Sequence, residues 1–239
     1  MLFRKPEGMK YIIVEGNIGA GKSTFLRILE EFSNTNVVYE PLEKWQEGDL
    51  LDKFYADTKR WAYTFQTYAF VTRILAAEQA IRSSKKNVQI LERSIYSDRY
   101  CFAKNAFESK VMSPLEWQLY TEWFDWLVDG YTVLPDGFIY MNTTPEVCFN
   151  RMKQRNRLEE SKVSLDYLTS IHQKHEQWLI DKREVTSGLG AIPVLMLDCN
   201  KDFENNRDQQ EDLIRQVSSF FPFFYQELKS FNADRPLSL

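Results

Sequence analysis

The stretch Gly16-Asn17-Ile18-Gly19-Ala20-Gly21-Lys22-Ser23-Thr24 spells G-x-x-x-x-G-K-S, a spacing whose chemistry is phosphate binding. An apolar run at 11–14 precedes it and a helix-like run at 25–31 follows. Gly16, Gly19 and Gly21 let the backbone adopt conformations closed to other residues and approach an anion closely. The amides of the turn and the N-terminus of the next helix can then cradle phosphate oxygens. Lys22 supplies a point charge for the terminal phosphates, and Ser23 offers a hydroxyl to Mg²⁺. The pattern points to a nucleoside triphosphate and is silent about what receives its phosphate.

Further groups stand where such a loop needs them. Glu40 ends a strand-like run at 36–40, and Glu92 and Arg93 end another at 88–93. A hydroxyl acceptor attacks only if its proton has somewhere to go, and a carboxylate in reach supplies that. Glu40 is the candidate; the plain alternative is a loop carboxylate. Glu92 either holds Mg²⁺, directly or through water, or pairs with Arg93. Arg151, Arg155 and Arg157, read as one short loop followed by Glu159 and Glu160, fit a lid that closes charge over the transferring phosphoryl. Their alternative is a basic helix end facing solvent. His172 and His175 have no further ligand at metal-site spacing and read as ordinary, partly buried histidines. The aromatics of 220–225, and Trp117, Trp123 and Trp126, read as core or subunit packing.

These residues need a frame. Helical spacing marks 61–83, 98–108, 164–185 and 205–220, with a shorter helix at 223–230 and a loose tail at 232–239. Ser113-Pro114-Leu115-Glu116 opens a helix running to Gly130, and Thr144-Pro145-Glu146 opens another to about residue 153. Strand-like runs at 137–141 and 193–197 complete an alternation of strands and helices. The expected fold is α/β: a P-loop NTPase fold, with a five-stranded parallel sheet flanked by helices and a short lid loop. Ligands in such sheets bind beyond the C-terminal strand ends, where Glu40, Glu92 and Arg93 fall. The 239 residues suit a single domain over 1–239, with its lid at about 151–163. A net charge of −4 and the lack of a basic tract argue against a nucleic-acid polymer as partner. Cys101, Cys148 and Cys199 are far apart in sequence and read as reduced core residues. No run is long enough to span a membrane, and residues 1–10 lack the marks of a signal or transit peptide. Cytoplasm is the expected compartment.

Taken together, several stretches resemble the deoxynucleoside kinase family. They are Val14 through Thr24, Glu40-Pro41 with Trp45, Tyr63 through Tyr68, Leu91 through Tyr100, the lid arginines, and His172 through Trp178. The likeness spans about residues 10–220. It implies transfer of the ATP γ-phosphoryl, with Mg²⁺, to the 5′-hydroxyl of a deoxyribonucleoside. On that resemblance Glu40 is the base, assisted by Arg93. Tyr55 and Glu160 hold the deoxyribose 3′-hydroxyl. Gln66 pairs with the base, in a slot lined by Trp45, Phe65 and Phe102. Arg155 stacks on the adenine beside Asp202-Phe203. The family also implies a homodimer packed through 61–83 and 113–129, and feedback inhibition by an end-product triphosphate.

Arg73 lies seven residues after Gln66, two helical turns along one face, and Asp98 sits in Ser97-Asp98-Arg99. Relatives that accept deoxycytidine or purine deoxynucleosides keep this pair, whereas thymidine-accepting relatives replace it. The resemblance therefore implies deoxyadenosine, deoxyguanosine and deoxycytidine ahead of thymidine, with a slight lean to the purines. Two other readings stay open on the residues alone. One is a nucleoside monophosphate kinase of the thymidylate type, although Glu40 would repel an acceptor phosphate. The other is a non-catalytic nucleotide-binding regulator.

Overall fold

The computed structural model describes residues 5–228. β1 (Lys10–Glu15) leads through the glycine loop into α1 (Lys22–Phe32), then β2 (Asn36–Val38), α2 (Leu42–Gln46), α3 (Leu50–Ala56) and the long α4 (Thr58–Ser83). β3 (Val88–Glu92) passes into a helical run built of α5 (Ile95–Ser97), a π-helical stretch (Asp98–Ala103) and α6 (Lys104–Glu108). Next come α7 (Pro114–Tyr131), β4 (Gly137–Asn142), α8 (Pro145–Arg155), a 3₁₀ segment (Leu158–Lys162) and α9 (Leu165–His175), which continues as a π-helical turn (Glu176–Ile180). α10 (Ser187–Gly190), β5 (Val194–Asp198), α11 (Arg207–Phe220) and α12 (Pro222–Tyr225) complete the chain.

The five strands form one sheet, in the order β2-β3-β1-β4-β5, and every pairing is parallel. The expected α/β architecture is therefore present. β1 is central, so its side chains alternate between two covered faces. Ile12 and Val14 pack with Phe25, Leu26 and Leu29 of α1. Tyr11 and Ile13 join the core formed by α4, α7 and the helical run after β3. Burial on both faces is why these strands read as nearly continuous apolar runs. Because all strands are parallel, the glycine loop, the residues after β2 and those after β3 emerge at one edge of the sheet.

Several boundaries differ from expectation. β2 stops at Val38, so Glu40 lies in the turn before α2. The helix after β3 begins at Ile95, not Asp98, because the Ser94 hydroxyl accepts from the amides of Tyr96 and Ser97. The helix expected over 164–185 ends at Ile180; Lys182 and Glu184 then take positive φ, which a helix cannot continue through. Arg151 and Arg155 belong to the last two turns of α8, which ends where Asn156 turns left-handed (φ 53°); only Arg157 follows it. The segment 42–56, for which no helix is expected, is mostly helical. The last part of the helix expected to 230, the tail at 232–239 and residues 1–4 of the N-terminal segment lie outside the described residues.

The glycine loop is built into the core. At Gly19 (φ 80°) a Cβ would stand 2.3 Å from the carbonyl oxygen of Cys148 in α8, so the loop packs directly on that helix. Asn17 donates from Nδ2 to the Leu168 carbonyl of α9 at 2.8 Å, fixing the other side.

Candidate active site

One cleft of about 940 Å³ opens at the carboxyl edge of the sheet. It gathers residues from α1 to α4, the end of β3, the π-helical stretch after it, α8, α9 and the segments that follow β2, α8 and β5. Ile18, Gly19, Gly21, Lys22, Ser23 and Thr24 line one end. Trp45, Tyr55, Phe65, Gln66, Arg73, Asp98 and Phe102 line the other, with Glu40, Glu92 and Arg93 among the walls. Arg151, Arg155, Arg157, Glu160, Asp202 and Phe203 also line it. Gly16, Asn17 and Ala20 of the glycine loop do not.

At the loop end Lys22 is buried and donates to the Asn17 carbonyl at 2.8 Å. Burial, with Arg93 nearby, pulls its ammonium down to about 7, so an incoming anion would restore its charge. Ser23 Oγ donates to Glu92 Oε1 at 2.7 Å. Among the described residues no cluster of three His, Cys, Asp or Glu could hold a metal ion alone. A hydroxyl beside one carboxylate is nonetheless the oxygen set that suits Mg²⁺, which usually takes a carboxylate, waters and substrate phosphates. Arg151 donates to the carbonyls of Cys199 (2.9 Å) and Lys201 (2.9 Å), and more loosely to Ala20 (3.4 Å). It clamps the glycine loop to the segment after β5 instead of standing free as a lid arginine. Its guanidinium also covers the Phe203 ring, 5.5 Å from the centroid, and Phe203 in turn lies against Gly21. Arg155 points the other way: its Nη2 bonds both oxygens of Glu160 at 2.7 Å, with Arg157 3.7 Å from the same carboxylate.

The far end is aromatic. Phe54 stacks on Phe65 with centroids 4.6 Å apart, and Trp45 meets Phe65 edge-on at 5.7 Å. Trp45 is anchored by its indole N–H on Thr72 Oγ1 at 2.9 Å. Gln66 is buried on α4, and among the described residues its Oε1 has no hydrogen-bond partner. A buried amide oxygen without a partner is costly, and this one sits in the wall of a cleft sized for a ligand.

Charge is concentrated between the two ends. Arg73 Nε bonds Asp98 Oδ2 at 2.8 Å, and Arg73 Nη2 reaches Glu40 Oε1 at 2.5 Å. Arg93 Nε lies 3.4 Å from the same Glu40 oxygen. Trp45 lies under the Arg73 guanidinium at 4.7 Å, and Phe102 under that of Arg93 at 4.8 Å. Burial by itself would raise the Glu40 carboxyl, but Arg73, Arg93 and Lys22 overcome it and hold the group at about 2. Arg93 has φ 61°, left-handed for a non-glycine residue and the kind of strain that clusters at functional sites.

His175 does not line the cleft. It is fully buried, with Nδ1–H donating to the Ile171 carbonyl at 2.8 Å and its ring parallel to Tyr140. Burial keeps it neutral, well below the ordinary histidine range. The sequence reading missed Leu42, Leu51 and Phe54 at the aromatic end, Arg27, Glu204 and Asn205 at the loop end, and Gln154 and Tyr167. The spacing of Leu51, Phe54 and Tyr55 is helical and offered a signal for α3. The others are brought in only by packing.

A carboxylate held by two arginines between a glycine loop and an aromatic slot suits phosphoryl transfer to a hydroxyl on a P-loop fold. The deoxynucleoside kinase family model matches residues 12–222, and this chain belongs to that family. It is 41% identical to deoxycytidine kinase 2 of Gallus gallus, over an alignment covering 89% of this chain and 90% of that protein. A probable deoxycytidine kinase of fowlpox virus is also 41% identical, over 92% of this chain and 91% of the viral protein. The mitochondrial deoxyguanosine kinase of Xenopus laevis is 40% identical, over 89% of each chain. The chain is thus a nucleoside kinase, which sets aside the reading as a non-catalytic regulator.

The pairing of Glu40 has a consequence for stability. Its folded value of about 2 lies below its ordinary 4.5, so the pairing stabilises the fold above about pH 4.5 and is lost as pH falls toward 2. At neutral pH the urea midpoint of the wild type should exceed that of Glu40→Gln, and the gap should close over that acid range. A gap that stays constant down to pH ~2 would show that Glu40 is not held this way.

Proposed function

We propose that the enzyme transfers the γ-phosphoryl of ATP to the 5′-hydroxyl of a deoxyribonucleoside, taking deoxyadenosine, deoxyguanosine and deoxycytidine ahead of thymidine. The observation that carries this reading is the placement of Glu40, an ionised carboxylate held by two arginines between a phosphate loop and an aromatic slot. The nucleoside lies in the slot of Trp45, Phe54, Phe65 and Phe102, with its base against Gln66. Tyr55 and Glu160 stand where the deoxyribose 3′-hydroxyl would be held. The 5′-oxygen attacks the γ-phosphorus, the bond to the β-phosphate oxygen breaks, and Glu40 takes the hydroxyl proton. A base held as low as Glu40 takes that proton late, once bond formation to phosphorus has made the oxygen acidic. Lys22 and Arg93 stabilise charge on the moving phosphoryl. Ser23 and Glu92 would hold Mg²⁺, which when bound neutralises phosphate charge. Arg155, freed from Glu160, would stack on the adenine near Asp202 and Phe203.

The residues act as one kinase domain, with a lid confined to 156–163, the segment that follows α8. In support, Gln46 of α2 donates to Glu159 at 2.9 Å, tying the slot side to the lid. All three cysteines are free and buried, which suits a reducing compartment, the cytoplasm. No helix among the described residues is long and apolar enough to cross a membrane. The enzyme is a homodimer. Leu115, Trp123 and Trp126 of α7 are each half-exposed or more, as is Leu75 of α4, an apolar face of the kind that a second copy covers.

Three outcomes test these readings. A panel of the four deoxynucleosides with Mg-ATP should show turnover, and Glu40→Ala should lower kcat at least about a hundredfold with ATP binding kept; a loss below about tenfold refutes the base role. In Arg73→Met with Asp98→Ala, kcat/KM for thymidine should rise relative to deoxycytidine, because a buried polar pair that rejects a mismatched base is gone. The absolute rate should fall for every substrate, since Arg73 also holds Glu40. An unchanged ratio overturns the specificity argument. Light scattering should give twice the monomer mass, reduced to the monomer by Trp123→Glu with Trp126→Glu; a monomeric wild type excludes the dimer.

A further inference from the structure

Glu15 is the last residue of β1, immediately before Gly16, and is completely buried. Nothing in the proposed reaction uses it. Strand alternation turns its side chain, with those of Tyr11 and Ile13, away from α1 and toward the helical run after β3. There the Ser94 hydroxyl lies 2.5 Å from Glu15 Oε1. The same hydroxyl accepts from the amides of Tyr96 (3.2 Å) and Ser97 (3.4 Å), and so caps that helical run. The residue before Ser94 is Arg93, whose own amide donates to the Val14 carbonyl at 2.9 Å.

Two consecutive residues of β1 thus grip two consecutive residues after β3. Val14 holds the Arg93 backbone and Glu15 holds Ser94. Between these anchors Arg93 keeps its left-handed φ of 61°, a conformation that persists only where its surroundings over-determine it. That backbone sets the direction in which the guanidinium leaves the chain toward Glu40, 3.4 Å from Nε. Burial pushes the Glu15 carboxyl up to about 7, against the pull of Arg93, Ser94 and Ser97, and among the described residues its Oε2 has no hydrogen-bond partner. A costly buried carboxyl that binds neither ligand calls for a role of another kind.

We propose that Glu15 is a positioning residue of phosphoryl transfer: through Ser94 it holds Arg93 in its left-handed conformation, and so fixes the phosphate loop in register with the arginine that faces Glu40. The proposal rests on the kinase reading for what Arg93 does, while the geometry it describes can be tested without turnover.

The experiment compares Glu15→Ala, Ser94→Ala, their double variant and Glu15→Gln, each measured for kcat and for KM of ATP and deoxycytidine. Glu15→Ala and Ser94→Ala should each lower kcat about tenfold to a hundredfold, the loss expected when a reacting group is slightly misplaced, with KM values within about threefold. The double variant should be no worse than the poorer single variant, because Glu15 acts through the Ser94 hydroxyl. Glu15→Gln keeps an acceptor for the Ser94 hydroxyl and should stay within about threefold of the wild type. Full activity of Glu15→Ala, additive losses in the double variant, or a Glu15→Gln as poor as Glu15→Ala would each overturn the proposal. If Glu15→Ala does not fold, Ser94→Ala against Glu15→Gln decides it by the same criteria. A crystal structure of Ser94→Ala gives the answer independent of activity: Arg93 relaxed from positive φ supports the proposal, and Arg93 unmoved refutes it. A wild type that phosphorylates no deoxynucleoside would sink the substrate reading and leave this last comparison standing.

Discussion

The cleft depends on one carboxylate largely withdrawn from water. Glu40 is only 14% exposed and shares a single oxygen between Arg73 and Arg93. Charges removed from water are tolerated only when each finds partners, and removing one partner strands the others. Arg73 in turn needs Asp98, and Arg93 needs the turn that follows β3. The network therefore binds the turn after β2, the middle of α4 and the end of β3 into one arrangement. The aromatic rings beneath the two guanidiniums exclude water and strengthen every one of these contacts.

The glycine loop meets the same requirement by other means. It is held mainly by shape and by side-chain hydrogen bonds to backbone carbonyls. Gly19 sits against the α8 backbone where no Cβ fits, Asn17 hangs from α9, and Arg151 bridges the loop to the segment after β5. Lys22 rests on a loop carbonyl with its ammonium pulled down by burial. A cation placed in this way gains most when an anion arrives, because its desolvation has already been met by folding.

Arg73 links the two ends of the cleft. Its Nε faces Asp98 and its Nη2 faces Glu40, so the residue pair at the aromatic end is not independent of the carboxylate near the loop. A change that reshapes the slot by removing Arg73 also alters the acidity and aim of Glu40. Non-additivity is the expected behaviour of groups in one hydrogen-bonded network.

Much of this was legible in the residues. Strand, glycine turn and helix follow one another within a short stretch, and local spacing encodes them, so the parallel sheet and the phosphate loop could be read directly. Helix starts at Ser113 and Thr144 were legible for the same reason: a cap is a contact between neighbours. The 3₁₀ segment at 47–49 was not, because Gly48 takes a positive φ there, and α3 left only the short helical spacing of Leu51, Phe54 and Tyr55. Nor could spacing show that Arg151 is a clamp or that Arg155 and Arg157 converge on Glu160. Strand-end position made Glu40 and Arg93 candidates, and the family resemblance added Arg73 and Asp98. Folding alone decided that one guanidinium serves both carboxylates and that Arg93 is held left-handed. Hydrogen bonds between side chains from separate elements depend on where the sheet brings those elements, and no local pattern carries that information.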